Sequence, residues 1–228
     1  MAPLRISVIM PVLNEERTIT SALEHLTEAE FDEIIVVDGG STDATRRLCA
    51  EHGIEPLLTQ RGRAMQMNEG ARRASGDILL FLHADTRLPG SAAEEIRDAM
   101  NDPSVVGGRF DVKLDRSGPL FRLVGALISW RSRFTRVSTG DQAIFVRRES
   151  FHKLGGYPEI PLMEDVAFAR ALKQAGEVAC LKSRVTTSAR RWENEGLWRT
   201  VLKMWILKAL YLVGVSPVRL KRFYGDAR

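Results

Sequence analysis

The sequence predicts an α/β protein built on a mostly parallel sheet flanked by helices, and three observations carry that prediction. In its first half, short apolar β-branched runs alternate with helix-patterned segments, the signature of βαβ units. The chain has 228 residues, 44% of them hydrophobic, which is enough to bury a full core. Neither an internal repeat nor a low-complexity linker divides it, so one domain is expected over residues 1–228.

The elements follow in order. Ile6–Val12 is strand-like, Thr18–Thr27 a helix, and Glu33–Asp38 a second, buried strand. Ser41 or Thr42 is the expected N-cap of the next helix. Glu55–Thr59 reads as a third strand, Arg63–Ser75 as a helix, Asp77–His83 as the fourth strand, and Ser91–Met100 as a helix capped by Ser91. In the second half, Gly107–Leu114 alternates as a half-buried strand and Leu120–Trp130 is an apolar helix edged with arginines. Gln142–Val146 reads as a strand, Glu164–Gln174 as a helix, and Trp198–Val213 as a last helix.

Composition removes several function classes. Cys49 and Cys180 stand far apart without a CxxC partner, against a disulfide scaffold or a thiolate metal site. The apolar run near the N-terminus is too short for a signal peptide, which predicts a cytoplasmic protein. The net charge of +4 hides an asymmetry. Residues 1–60 hold 11 acidic and 4 basic side chains, whereas residues 182–222 hold 10 basic and 2 acidic ones. A basic end suits nucleic acid, anionic lipid or a phosphate-bearing substrate. With no aromatic-interleaved RNA motif and no helix-turn-helix signal, nucleic acid ranks last.

Chemistry is expected at the carboxyl ends of the strands, where parallel sheets bind ligands. The first strand ends in Pro11-Val12-Leu13-Asn14-Glu15-Glu16, the second in Asp38-Gly39-Gly40-Ser41-Thr42-Asp43, and the fourth in His83-Ala84-Asp85-Thr86. Three strand ends thus bring carboxylates to one edge, a pattern that invites a divalent cation holding a diphosphate. Each feature also has a plain structural reading. Asp38–Ser41 suits a tight turn, Asp85 a turn before Pro89, and Glu15 and Glu16 the first turn of a helix.

These motifs, in this order, resemble the family-2 glycosyltransferases of the GT-A fold. The resemblance continues through Gly62-Arg63-Ala64-Met65-Gln66-Met67-Asn68, Thr139-Gly140-Asp141-Gln142, Gly155-Gly156-Tyr157, Met163-Glu164-Asp165 and Arg190-Arg191-Trp192, covering roughly residues 5–195. The wording of Gly62–Asn68, Thr139–Gln142 and Arg190–Trp192 is most similar to the arsenosugar-biosynthesis subgroup. The resemblance implies a nucleotide-sugar-binding half (1–105), an acceptor half (106–195), and a C-terminal amphipathic helix with a basic tail (196–228). It implies Mg²⁺ or Mn²⁺ as cofactor, with Asp85 as the metal-binding carboxylate of the family's Asp-x-Asp motif. His83 stands where the first aspartate of that motif usually lies, so the ribose contact is open between His83 as donor and His83 as a strand-end residue.

On the same resemblance Asp38 accepts from the imino N–H of a uracil-like base, and Pro11 and Glu15 line the base and ribose. Ser41, Arg63 and Asn68 also belong to the donor site, with Arg63 toward the diphosphate or base. Asp165 is implied as the general base of an inverting transfer, with Asp141, Glu164, Arg191 and Trp192 on the acceptor and diphosphate side. Ser188 stands where the family's Gln-x-x-Arg-Trp motif has glutamine, which argues against a processive synthase. Competing readings are a nucleotidyltransferase, which wants a glycine-rich basic loop after the first strand, and a non-catalytic nucleotide-sugar-binding module. The helix at 198–213 is apolar nearly all round, with Trp198, Leu202, Trp205, Ala209 and Leu212 on one face. It is expected to pack on the domain or a second copy, and also to give weak contact with the inner membrane surface. The donor base, the sugar and the acceptor are not legible.

Overall fold

The computed structural model describes residues 3–190 and 196–224. Eight strands form one sheet in the order β3-β2-β1-β4-β7-β6-β8-β5. They are β1 (Ile6–Val12), β2 (Glu33–Asp38), β3 (Leu57–Leu58), β4 (Ile78–Phe81), β5 (Thr86–Arg87), β6 (Val105–Leu114), β7 (Ile144–Arg147) and β8 (Glu177–Thr187). β1 to β4 run parallel, as do β6 and β8, while β7 runs antiparallel between β4 and β6. The helices are α1 (Ile19–Glu28), α2 (Thr45–Glu51), α3 (Arg63–Arg73), α4 (Ala92–Met100), α5 (Pro119–Thr135), α6 (Arg148–Lys153), α7 (Glu164–Ala175), α8 (Leu197–Leu212) and α9 (Pro217–Tyr224).

The sheet is buried on both faces, as its apolar runs require. Val8, Met10 and Val12 of β1 enter one core with Leu23, Leu80 and Phe110. Ile9 points the other way, into a second core with Val37, Met67, Phe81 and Phe168. The antiparallel setting of β7 matters for the site. Its first residue, Ile144, pairs with Phe81 at the end of β4, so the turn before β7 lies at the carboxyl edge of the parallel strands.

Several expected elements change. Neither Ser41 nor Thr42 caps α2, which begins at Thr45 after Ala44. Ser91 stands at the start of α4 but bonds the Glu95 carboxylate rather than a backbone N–H. β3 contracts to two residues. β6 is buried nearly throughout instead of alternating, because it lies inside the sheet. There Gly108 admits β7, since a Cβ would lie 2.3 Å from the Phe145 ring. β8 has no counterpart in the sequence reading. Its period-two pattern is broken where the register with β6 slips between the Phe110–Leu181 and Asp111–Arg184 pairs.

Candidate active site

The ends of β1 and β2 are laced into one loop platform. Asn14, with φ +54°, donates its N–H to Ser41 Oγ at 2.9 Å and accepts from Thr42 N at 2.9 Å. Glu15 N–H donates to Thr45 Oγ1 at 2.8 Å, and its carboxylate accepts from Thr18. Glu16 accepts from Ala44 N, so its carboxylate serves the start of α2, while that of Glu15 serves the start of α1. Below them Gln66, fully engaged, donates to Val12 O at 2.7 Å and Val37 O at 2.8 Å. The sequence motif contained Gln66 but did not reveal this role as the clamp between two strand ends.

Asp38 is completely buried. Its carboxylate accepts from the N–H groups of Gly40 and Ser41 and from the Ser41 hydroxyl. The turn reading of this motif is therefore realised in the structure. Pro11 is buried beside it, paired with Val37. Asn68, expected at the donor, is engaged by the backbone of Tyr157. Its amide donates to Tyr157 O at 2.8 Å and accepts from Tyr157 N at 2.9 Å, joining α3 to the Gly155–Tyr157 turn.

A narrow cleft opens beside this platform, lined by Arg63, His83, Gly140, Tyr157 and Asp165 among others. Asp165, at the start of α7, accepts from Gly140 N on Oδ2 and from its neighbour Val166 N on Oδ1, both at 2.7 Å. The backbone is bent to achieve this. Met163 before α7 and Ala143 before β7 hold φ of +69° and +48°, costly for residues with a Cβ. The His83 ring rests on Gly140, since a Cβ there would lie 3.1 Å from its Nε2 and 3.6 Å from Asp165 Oδ2. Glu164 is buried and faces Arg63 at 3.8 Å, a link between the two halves of the chain. Burial pushes its carboxyl up and Asp165 adds to this, against the pull of Arg63 and Lys221. The Asp141 carboxyl is also pushed up by burial, and its Oδ1 has no hydrogen-bond partner.

The structure thus gathers Arg63, His83, Glu164, Asp141 and Asp165 around one cleft, with Pro11, Glu15, Asp38 and Ser41 on the platform. Asp85 lies in the exposed turn after β4. Arg191 and Trp192 lie outside the described residues, as does the side chain of Trp198. The expected meeting of three carboxylates does not occur. Among the described residues no three His, Cys, Asp or Glu side chains come together as ligands for an ion. An exposed carboxylate that shares a hard cation with substrate phosphate oxygens and water still fits Mg²⁺ or Mn²⁺ chemistry.

The sequence model of Glycosyl transferase family 2 matches residues 7–155, more than half of the chain. The chain belongs to glycosyl transferase family 2. A glucosyl-3-phosphoglycerate synthase of Mycobacterium tuberculosis is 34% identical over 96 residues, covering 37% of this chain and 30% of that relative. An uncharacterized glycosyltransferase of Mycobacterium bovis is 28% identical over 170 residues, covering 69% and 77%. Among solved structures, the mannosyltransferase PcManGT of Pyrobaculum calidifontis, in complex with GDP-Man and Mn²⁺, is similar with TM-score 0.66 and 20% identity over 97% of this chain and 68% of that one. The M. tuberculosis synthase with Mn²⁺ and UDP-glucose gives TM-score 0.64 and 20% identity over 93% and 80%. These solved structures share the GT-A fold with the chain. The Asp38 loop, the cleft and the α7 N-terminus are where that fold carries its strand ends.

Proposed function

We propose that the protein is a metal-dependent inverting glycosyltransferase, moving a sugar from a nucleotide-diphosphate donor to an acceptor hydroxyl. The observation that carries this is Asp165, held by Gly140 N–H in the cleft beside His83. In this reading Asp165 takes the acceptor hydroxyl proton as that oxygen bonds the anomeric carbon, whose bond to the diphosphate oxygen breaks. Two backbone donors fix the carboxylate, which lowers the reorganisation needed at the moment of proton transfer. The inverted product follows from attack opposite the leaving group.

Asp38 contributes by shaping the loop against which the base lies, with Pro11, Glu15 and Ser41 around base and ribose. Arg63 meets the diphosphate while remaining paired to Glu164, and His83 stands over the cleft at the ribose position. Asp85 would hold the divalent cation together with donor phosphate oxygens; when bound, the cation neutralises diphosphate charge. Arg191 and Trp192 are assigned to the diphosphate side on the motif alone. Motif wording also supports the arsenosugar-biosynthesis subgroup, with no acceptor assigned.

A membrane-surface setting belongs to the same proposal. No helix among the described residues is long and apolar enough to cross a membrane. Leu123, Trp130 and Phe134 of α5 and Leu202, Trp205 and Leu212 of α8 are nonetheless exposed, beside a basic C-terminal stretch. Peripheral contact with anionic lipid on the cytoplasmic side accounts for both features. Burial of the same faces in a homodimer is the competing occupant.

The test of the donor reading is thermal denaturation against a panel of nucleotide sugars, with and without Mn²⁺ or Mg²⁺. One donor should raise the melting temperature in a metal-dependent way, because it binds only the folded state. Asp85→Ala should remove the metal dependence. Equal stabilisation of the variant with metal would exclude Asp85 as the ligand.

A further inference from the structure

Two cations that no motif singles out stand beside the Asp141–Asp165 pair. Arg131 lies on α5, whose neighbouring Ser132 hydroxyl accepts from Gln142 Nε2 at 2.9 Å; this ties α5 to the turn that carries Gly140 and Asp141. Lys208 lies on α8, whose neighbouring Leu207 is buried with Leu220 against Met163 and Val166, which flank Asp165 in sequence. Helix α8 is therefore seated on the N-terminus of α7, and α5 on the turn opposite. Both cations interact electrostatically with both Asp141 and Asp165, and with each other. Arg131 Nε and Asp141 Oδ1 are buried without a hydrogen-bond partner.

We propose that Arg131 and Lys208 form a subsite for a phosphate group on the acceptor side of the cleft, next to Asp165. The inference rests on the glycosyltransferase reading for the identity of the cleft, and on this geometry for the anion. The simpler alternative is that the two carboxylates neutralise the two cations. Geometry argues otherwise: Arg131 Nε and Asp141 Oδ1 are both buried without a hydrogen-bond partner, so the carboxylate does not satisfy the guanidinium through these atoms. Burial and the Arg131 charge together bring Lys208 down to about 8, despite the two aspartates. An anion would offset that cost, and a guanidinium beside an ammonium suits tetrahedral phosphate oxygens. The phosphate is either part of the donor diphosphate or a group on the acceptor, and both present the same chemistry to these side chains.

Calorimetry on the full chain with Mg²⁺ separates the cases, using UDP, GDP, ADP, CDP, dTDP, inorganic pyrophosphate, and inorganic phosphate added to the nucleotide-loaded protein. Lys208→Met and Arg131→Met should each weaken at least one probe by about tenfold or more, the scale of one charge-assisted hydrogen bond. Lys208→Arg should retain binding, and its melting curve guards against misfolding as the cause. Weakened nucleoside diphosphate and pyrophosphate binding would assign the donor diphosphate. Unchanged nucleotide affinity with lost phosphate binding would assign an acceptor phosphate. If wild type binds a nucleoside diphosphate and neither methionine variant weakens any probe, the subsite is wrong and the donor reading stands. If wild type binds phosphate through Lys208 but none of UDP, GDP, ADP, CDP or dTDP, the donor reading is wrong and the subsite stands.

Discussion

The side chains around Asp165 are set against one another by charge and burial, and Lys208 makes that measurable. In the fold its ammonium is brought down to about 8 from 10.5, first by burial and then by Arg131, with Asp165 and Asp141 pulling the other way. Between those values the unfolded chain binds a proton that the native one has released. Stability linked to this group therefore rises as pH increases from about 8 to about 10.5. Denaturant titrations across that range should show wild type gaining stability relative to Lys208→Met. A difference between the two that is flat with pH would contradict the burial of this ammonium among Arg131, Asp141 and Asp165. Residues at this scale are legible in the sequence as candidates where a motif stands at a strand end, as Asp38 does, or at a helix start, as Glu164 and Asp165 do. Arg131 and Lys208 are not, because each sits within an apolar helix and reaches the site only through tertiary packing. Asn68 shares a motif with Arg63, but the use of its amide by Tyr157 depends on a turn distant in sequence and is not legible there.

Among the elements, α5 is fastened to the sheet by a buried charge network that sequence periodicity did not show. Arg109, 1% exposed, pairs with Asp111, and Arg133 of α5 donates to the other oxygen of Asp111 at 2.6 Å. Arg133 also donates to Cys180 O and Leu181 O on β8. Removing the shared anion leaves Arg109 buried and unpaired. Asp111→Ala should therefore cost about 3–5 kcal/mol in chemical denaturation. A loss below about 1 kcal/mol, the scale of an exposed pair, would show that the network is not holding α5. The outer face of the same helix points the other way in character. Trp130 and Phe134 stack in the open with ring centroids 6.0 Å apart, while the small residues Gly125, Ser129 and Ser132 face inward. Helix α8 repeats this inversion. The predicted Leu202–Trp205–Ala209–Leu212 face is exposed, and it is Leu207 that packs on the domain. A helix apolar on two sides gives no sequence signal for which side is buried. Flotation with anionic vesicles at low salt should carry wild type upward, and the Trp130→Ser, Trp205→Ser double variant should stay below. Wild type remaining in the soluble fraction would end the membrane reading.

For the whole molecule, the parallel half was readable because apolar β-branched runs and turn residues repeat regularly through residue 100. The second half was harder. β7 is antiparallel, β8 carries a register slip, and both depend on partners distant in sequence. Yet this irregular half shapes the cleft, since an antiparallel β7 is what returns Gly140 and Asp141 to the edge where β1, β2 and β4 end. In the proposed function, donor loops on the parallel strands and a proton acceptor on the other half meet at this cleft. The central claim is that Asp165 removes a proton during transfer of a sugar from a nucleotide-diphosphate donor. The most direct measurement is donor hydrolysis in Mn²⁺, with water as acceptor, for wild type and Asp165→Asn. The account predicts release of nucleoside diphosphate by wild type, with the variant slower by roughly 10²–10⁴ at nearly unchanged donor affinity, the range for loss of a general base. Release of pyrophosphate instead, or a variant as fast as wild type, would contradict it.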